Sequence, residues 1–99
     1  MNHDQSHTLF QQARQLMPGG VNSPVRAFRG VGGEPFVAAR GKGARVWDAD
    51  GNEYIDFSSG IYVTTLGHCH PKITEAVAQA AGQLMNAHDF TTPVKTKLV

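Results

Sequence analysis

The sequence predicts an α+β chain that runs helix, loop, three-stranded antiparallel sheet, helix. Three observations carry this: an apolar stripe at helical spacing before Pro18, three short strand-like segments bounded by turn residues, and a second helical run opening on Pro71. With 99 residues the chain has room for no more than one small domain.

The first helix is expected from Ser6 to Met17. Leu9, Phe10, Ala13, Leu16 and Met17 fall on one face of a 3.6-residue repeat, and Pro18-Gly19-Gly20 stops it. The stretch from Val21 to Gly33 mixes Asn22, Ser23 and Pro24 with three Gly around Arg26 and Arg29, and reads as a loop without regular structure. Three strands are expected next, over 36–39, 44–47 and 54–57. Residues 40–43 and 48–52 would be the turns between them, with Asp50-Gly51 supplying the positive φ of a tight hairpin. Trp47, Tyr54 and Phe57 on adjacent strands are expected as cross-strand core. Three short strands are marginal alone and need a covering layer. After a loop from Ser58 to Cys69, Pro71 opens a second helix reaching about Met85, with Ile73, Val77, Ala80, Ala81 and Leu84 on one side. Thr92 and Pro93 open a third helix that runs out on apolar residues with no Gly or Asn to end it, so the chain reads as the first part of a longer one. Charged residues make up 17% of the chain against a usual ~25%, too few to cover a solvated surface, so the segment alone is expected to fold poorly.

Charge and cysteine content exclude several function classes. Nine basic against eight acidic residues, with no basic run, leave nucleic-acid binding without an electrostatic footprint. The lone Cys69 forms no internal disulfide. No apolar run approaches the ~18 residues of a spanning helix, and the polar N-terminus lacks the pattern of a secretory signal, so a cytoplasmic address is expected.

The candidate metal motifs fail on spacing, and no metal site is expected. His68-Cys69-His70 puts alternate side chains on opposite sides of an extended segment, with only His88 near, and His70 is better placed to fix the start of the helix at Pro71. The run from Asp48 to Glu53 resembles a calcium loop, but its Gly stands at position 4 instead of 6 and position 12 is Ser59. Gly41-Lys42 is followed by Gly43, with Phe36 where a phosphate loop needs its first Gly.

Asn22-Ser23-Pro24-Val25-Arg26 is the best candidate binding element. Arg26 offers a rigid five-donor fork for a carboxylate or phosphate, and Ser23 could add a hydroxyl to the same anion. An Arg in such a loop is more often a surface ion-pair partner. Ser59-Gly60-Ile61-Tyr62, between sheet and helix, either lines a pocket or connects.

Taken together, the segments Pro18 to Arg26, Gly43 to Asp56 and Leu66-Gly67-His68-Cys69-His70-Pro71 resemble, in order and spacing, the start of a class III pyridoxal-phosphate-dependent aminotransferase. The resemblance covers nearly the whole chain from about Leu9 and implies an N-terminal segment of an α/β fold-type I enzyme. Residues 1–57 would be the N-terminal arm and part of the small domain, and 58–99 the start of the large cofactor-binding domain. The first motif most resembles the glutamate-1-semialdehyde 2,1-aminomutases, which make 5-aminolevulinate for tetrapyrrole synthesis. Those enzymes usually carry Gly-Ser-Trp-Gly-Pro after the Tyr-Ile-Asp strand, whereas Ser59-Gly60-Ile61-Tyr62-Val63 stands here, with Ile61 in the place of the Trp. That loop looks more like those of 4-aminobutyrate, acetylornithine and other ω-amino-acid transaminases, which are the alternative. By resemblance, Arg26 holds the substrate carboxylate, Ser23 assists, and Ile61 and Tyr62 shape the pocket. The resemblance also implies pyridoxal 5'-phosphate as cofactor, a small amino-acid or semialdehyde substrate and a homodimer. The Schiff-base Lys of the family matches none of Lys42, Lys72, Lys95 and Lys97, so no catalytic residue is assigned in this segment, which is expected to be inactive alone. An alternative of another class is a small non-catalytic module whose Arg26 loop grips an anion.

Overall fold

A computed structural model of the chain describes residues 1–86, 91–93 and 97. The chain forms two compact units, Met1–His68 and Cys69–Val99.

In the first unit, helix α1 (Asp4–Leu16) starts two residues ahead of the expected Ser6 and ends one before Met17. Asn2 Oδ1 accepts the Asp4 N–H at 2.9 Å, and the rest of the support comes from outside the helix's own sequence. His3, at the N-cap, makes no side-chain cap bond. The Asp50 carboxylate instead accepts the Gln5 N–H at 2.7 Å and the Ser6 N–H at 2.8 Å. A carboxylate there satisfies two orphan donors and faces the positive end of the helix dipole. Ser6 is buried, and its hydroxyl accepts the Val37 N–H at 3.3 Å.

Pro18–Gly20 closes α1 with a 3₁₀ turn. The loop that follows is more ordered than its composition suggests: Pro24–Ala27 forms a second 3₁₀ turn, since Pro24 at the first helical position presets the backbone.

Strands β1 (Ala38–Lys42), β2 (Arg45–Asp48) and β3 (Glu53–Ile55) form an antiparallel meander in the order β1-β2-β3. Each is displaced from its expected span. Lys42 lies opposite Arg45, so the first hairpin turn contracts to Gly43-Ala44, and Arg40 to Lys42 belong to the strand. Arg40 faces Trp47 across the ladder with its guanidinium 3.7 Å from the ring centroid, a cross-strand cation–π pair that favours the longer strand. A bulge at Ala39 absorbs the offset between Ala38↔Asp48 and Arg40↔Trp47. In the second turn Gly51 takes φ +86°, the conformation its Asp-Gly pair requires. Arg45 and Glu53 form a diagonal ion pair between β2 and β3, both half exposed and contributing little.

The expected aromatic core is only partly formed. Trp47 and Tyr54 are half-buried, and Tyr54 stacks on Phe36 with centroids 4.8 Å apart. Phe57 lies beyond the end of β3 and is 91% exposed. Among the described residues no apolar side chain is fully buried, whereas Ser6 and Asp48 are. A single turn, α2 (Ser59–Tyr62), follows the sheet.

The second unit contains α3 (Pro71–Ala81), shorter than the run to Met85 because the helix ends at Gly82. His70 does hold the N-cap position, but with its backbone: its carbonyl accepts the Thr74 N–H at 2.9 Å and its side chain caps nothing. Pro93 is helical, while 94–96 and 98–99, over which a third helix is expected, and His88 lie outside the described residues. Among the described residues no helix is long and apolar enough to cross a membrane.

Burial acts to raise the Asp48 carboxyl, but bonds from the Asn52 and Tyr54 side chains and from the Asn52 and Asp50 backbone outweigh it, leaving the group at about 2 against 3.8. Asp50 is also lowered, burial again opposed by the Ser6 and Gln5 N–H groups. Carboxyls depressed in the native state stabilise it above their unfolded pKa, and that stability is lost as pH falls through the native value. The melting temperature of the intact protein is therefore expected to hold from neutral pH to about pH 4 and to fall towards about pH 2. Asp50→Ala should flatten that fall and speed hydrogen exchange at the Gln5 and Ser6 amides roughly tenfold. Unchanged exchange would show that α1 does not depend on this cap.

Candidate functional site

The four sequence-derived site residues all lie in the first unit, on two separate elements. Ser23 is the N-cap of the Pro24–Ala27 turn, and its carbonyl accepts the Arg26 N–H at 3.0 Å. Ser23 itself is extended, so this backbone bond is what ties it to Arg26. The Arg26 side chain is exposed and donates through Nη1 to Asn22 Oδ1, which leaves most of its donor fork free to meet an anion. Arg26 and Asn22 stand on the wall of a cavity of about 530 Å³, lined otherwise by apolar groups that include Leu9, Phe10, Phe28 and Phe36. A mostly apolar cavity with one cationic fork suits a small molecule bearing a carboxylate.

Ile61 and Tyr62 belong to α2, whose backbone is unusual. Ser59, Gly60, Ile61 and Tyr62 take φ of 51°, 61°, 59° and 66°, four left-handed residues in succession. For the three that carry a Cβ this costs about 1–2 kcal/mol each, most plainly for β-branched Ile61. Such strain persists only where the surroundings over-determine it, and it clusters at ligand sites. Asp56 supplies part of that restraint: Oδ1 accepts the Ser58 and Ser59 N–H groups at 3.0 and 2.8 Å, and Oδ2 meets His68 Nε2 at 2.7 Å. The Ser59 N–H and then His68 hold the Asp56 carboxyl below its usual range, with burial opposing. Within α2, the Ser58 carbonyl accepts the Ile61 and Tyr62 N–H groups. Ile61 and Tyr62 are each 81% exposed. Among the described residues no hydrogen bond or ion pair links them to Arg26 or Ser23, so this chain presents two half-sites.

The sequence around His68 suggests nothing for it beyond the metal chemistry that its spacing excludes. Its partner Asp56 is twelve residues away, and only the fold brings the two together. His68 also forms an antiparallel bridge with Gly43 through two backbone bonds of 2.8 and 3.0 Å. Gly67, at φ +89°, makes this possible: a Cβ there would lie 2.9 Å from the Gly43 Cα.

His3, Asp48 and Asp50 bring ligand atoms within 4.8 Å of one another. Asp48 is saturated, because Asp50 N and Asn52 N donate to Oδ1 while Asn52 Nδ2 and Tyr54 OH donate to Oδ2. Four donors on two carboxylate oxygens leave no lone pair for a cation, and the cluster reads as a turn lock.

Comparison with known proteins bears on what these half-sites serve. The pattern of the family "Aminotransferase class-III" matches residues 28–97. A glutamate-1-semialdehyde 2,1-aminomutase of Gemmatimonas aurantiaca is 60% identical over 78 residues, covering 79% of this chain and 18% of that protein. The solved structure of a glutamate-1-semialdehyde-aminomutase from Pseudomonas aeruginosa PAO1 superposes with a TM-score of 0.84 at 25% identity, over 97% of this chain and 21% of that one. A transaminase with PLP bound superposes with a TM-score of 0.82 at 36% identity, over 98% of this chain and 22% of that one. The chain thus spans about a fifth of the length of these relatives. The family match displaces the alternative of an unrelated anion-binding module.

Among the described residues no Lys stands where a pyridoxal-phosphate site would need one. Schiff-base chemistry needs a Lys amine in the pocket. Lys42 is exposed on β1, Lys72 is exposed on the first turn of α3, and no Lys lines the cavity beside Arg26. What these residues present is an exposed guanidinium on the wall of an apolar cavity and, apart from it, a strained turn that carries Ile61 and Tyr62.

Gly67→Ala is expected to break the contact at Gly43 and to lower the stability of the intact protein by about 1–3 kcal/mol, through the clash and the left-handed strain. Chemical denaturation measures it; an unmoved midpoint would mean that the Gly43–His68 bridge is dispensable.

Proposed function

The chain belongs to the class-III aminotransferases, and from that premise we propose that the intact protein converts glutamate-1-semialdehyde to 5-aminolevulinate, a step of tetrapyrrole synthesis. The observation that carries the choice within the family is the 60% identity to an aminomutase across four fifths of the chain. Pyridoxal phosphate, the cofactor of the family, supplies the electron sink that lets an amino group leave one carbon and join another. The Lys that binds it is contributed from outside this segment. Residues 1–57 act as the arm and part of the small domain, and 58–99 begin the cofactor-binding domain.

The role of this segment is to recognise the substrate. Arg26 takes the carboxylate in a charge-assisted fork, releasing Asn22 Oδ1 as it does so, and Ser23, at the N-cap of the same turn, adds its hydroxyl. A carboxylate fixed at one end aligns the amino-bearing carbons at the other, which is catalysis by orientation. Ile61 and Tyr62 form the apolar wall beside those carbons. Their exposure here, with that of Phe57, Val63 and Leu66, suits a surface covered by the rest of the protein and by a second subunit. We read the intact protein as a cytoplasmic homodimer without nucleic-acid or membrane partners.

One observation favours a second reading. Ile61 stands where aminomutases usually place a Trp, so an ω-amino-acid transaminase of the 4-aminobutyrate or acetylornithine type is the alternative.

One assay separates the two. Given glutamate-1-semialdehyde and no amino acceptor, the holoenzyme is expected to form 5-aminolevulinate; turnover only when a keto acid is added would identify the transaminase. Under either reading Arg26→Ala should raise KM for the carboxylate-bearing substrate about 10- to 100-fold, the loss of a charge-assisted fork. An unchanged KM would remove Arg26 from the site.

A further inference from the structure

The segment from Phe57 to Gly67 is a closed loop whose two ends are fastened by one residue. His68 Nε2 lies 2.7 Å from Asp56 Oδ2, while its backbone N–H and carbonyl pair with Gly43 at the tip of the β1–β2 hairpin. An ionised carboxylate only accepts, so the ring donates. The His68 side chain also packs over Gly41 of β1: a Cβ there would come within 2.7 Å of its Cγ. His68 is three-quarters buried, so the bond to Asp56 is partly shielded from water. One side chain and its backbone therefore tie the end of the loop to β1, to the first hairpin and to the residue after β3. Asp56 carries the restraint forward, because its other oxygen holds the Ser58 and Ser59 N–H groups from which the left-handed turn starts. Released from Asp56, three strained residues would relax towards right-handed or extended backbone, and Ile61 and Tyr62 would turn with it.

We propose that His68, acting through Asp56, is a positioning residue that holds the Ser59–Tyr62 turn in its left-handed form and so sets where Ile61 and Tyr62 meet the substrate. The proposal rests on the reading of those two residues as pocket wall. His68 touches no reacting atom; its effect falls on binding.

The test uses the intact holoenzyme with His68→Ala and His68→Gln, the second keeping an N–H donor within reach of Asp56. Hydrogen exchange of peptides spanning 57–67 is measured without substrate, and KM and kcat are measured with glutamate-1-semialdehyde and with 4-aminobutyrate plus a keto acid. For His68→Ala, exchange in 57–67 should rise roughly tenfold and KM roughly tenfold, with kcat within about threefold of wild type. His68→Gln should return both to within about threefold. Unchanged exchange in His68→Ala, faster exchange with an unmoved KM, or a Gln variant that behaves like the Ala variant each overturns the proposal. If His68→Ala does not accumulate as folded protein, His68→Asn, whose donor falls short of Asp56, is measured in its place and judged by the same outcomes. If the wild-type enzyme turns over neither substrate, the reading of the reaction fails, and the exchange comparison alone decides the role of His68.

Discussion

The turn from Asp48 to Asn52 is the constraint on which the first unit depends. Its two carboxylates face different ways and do different work. Asp48 looks inward, accepting four donors from its own turn and from Tyr54, and fixes the β2–β3 hairpin. Asp50 looks outward and caps α1. In a unit where no described apolar side chain is fully buried, the position of the helix is set by directional polar bonds instead of by apolar area. Directional bonds fix orientation more sharply than area does, because they weaken steeply with angle. The wall of the cavity beside Arg26 is one face of α1, so the geometry of that half-site is inherited from a turn that does not touch it.

Much of this was legible in the sequence, and what was missed shares a cause. The order of elements, the meander and the Asp50-Gly51 turn follow from local chemistry, as does the start of α3 at Pro71. The first turn was placed too early because Arg40-Gly41-Lys42-Gly43 is turn-like in composition, while the cation–π partner that draws Arg40 into the strand sits on the next strand. Phe57 reads as core when it is taken as the last residue of the third strand, although the ladder ends before it. The cap on α1 is out of reach of any window, since Asp50 and Gln5 are 45 residues apart. Local signals name elements; contacts across the fold decide their ends.

The site divides along the same line. Arg26 and Ser23 are candidates on their chemistry alone, an Arg and a hydroxyl in a Pro-bearing loop suggesting anion binding. Ile61 and Tyr62 came only from resemblance, since nothing in Ser-Gly-Ile-Tyr announces a left-handed turn; Gly60 is the one residue there for which that backbone is unremarkable. His68 was weighed against metal chemistry and set aside, and its real partner became visible only when the sheet brought Asp56 to it. Both half-sites share one plan in this chain: the sheet and its hairpins serve as the frame, and the loop segments are tied to it by polar residues such as Asp50, Asp56 and His68.

The distance between α1 and its cap has a consequence for how the chain comes into being. Translation delivers α1 first, and Asp50 45 residues later. At about 5–20 residues per second, the helix spends roughly 2 to 9 s outside the ribosome with its Gln5 and Ser6 N–H groups not yet met by Asp50. A 13-residue helix in that condition is marginal in water. The nascent arm therefore waits as a fluctuating peptide, and its ordering is set by the emergence of a hairpin rather than by its own sequence.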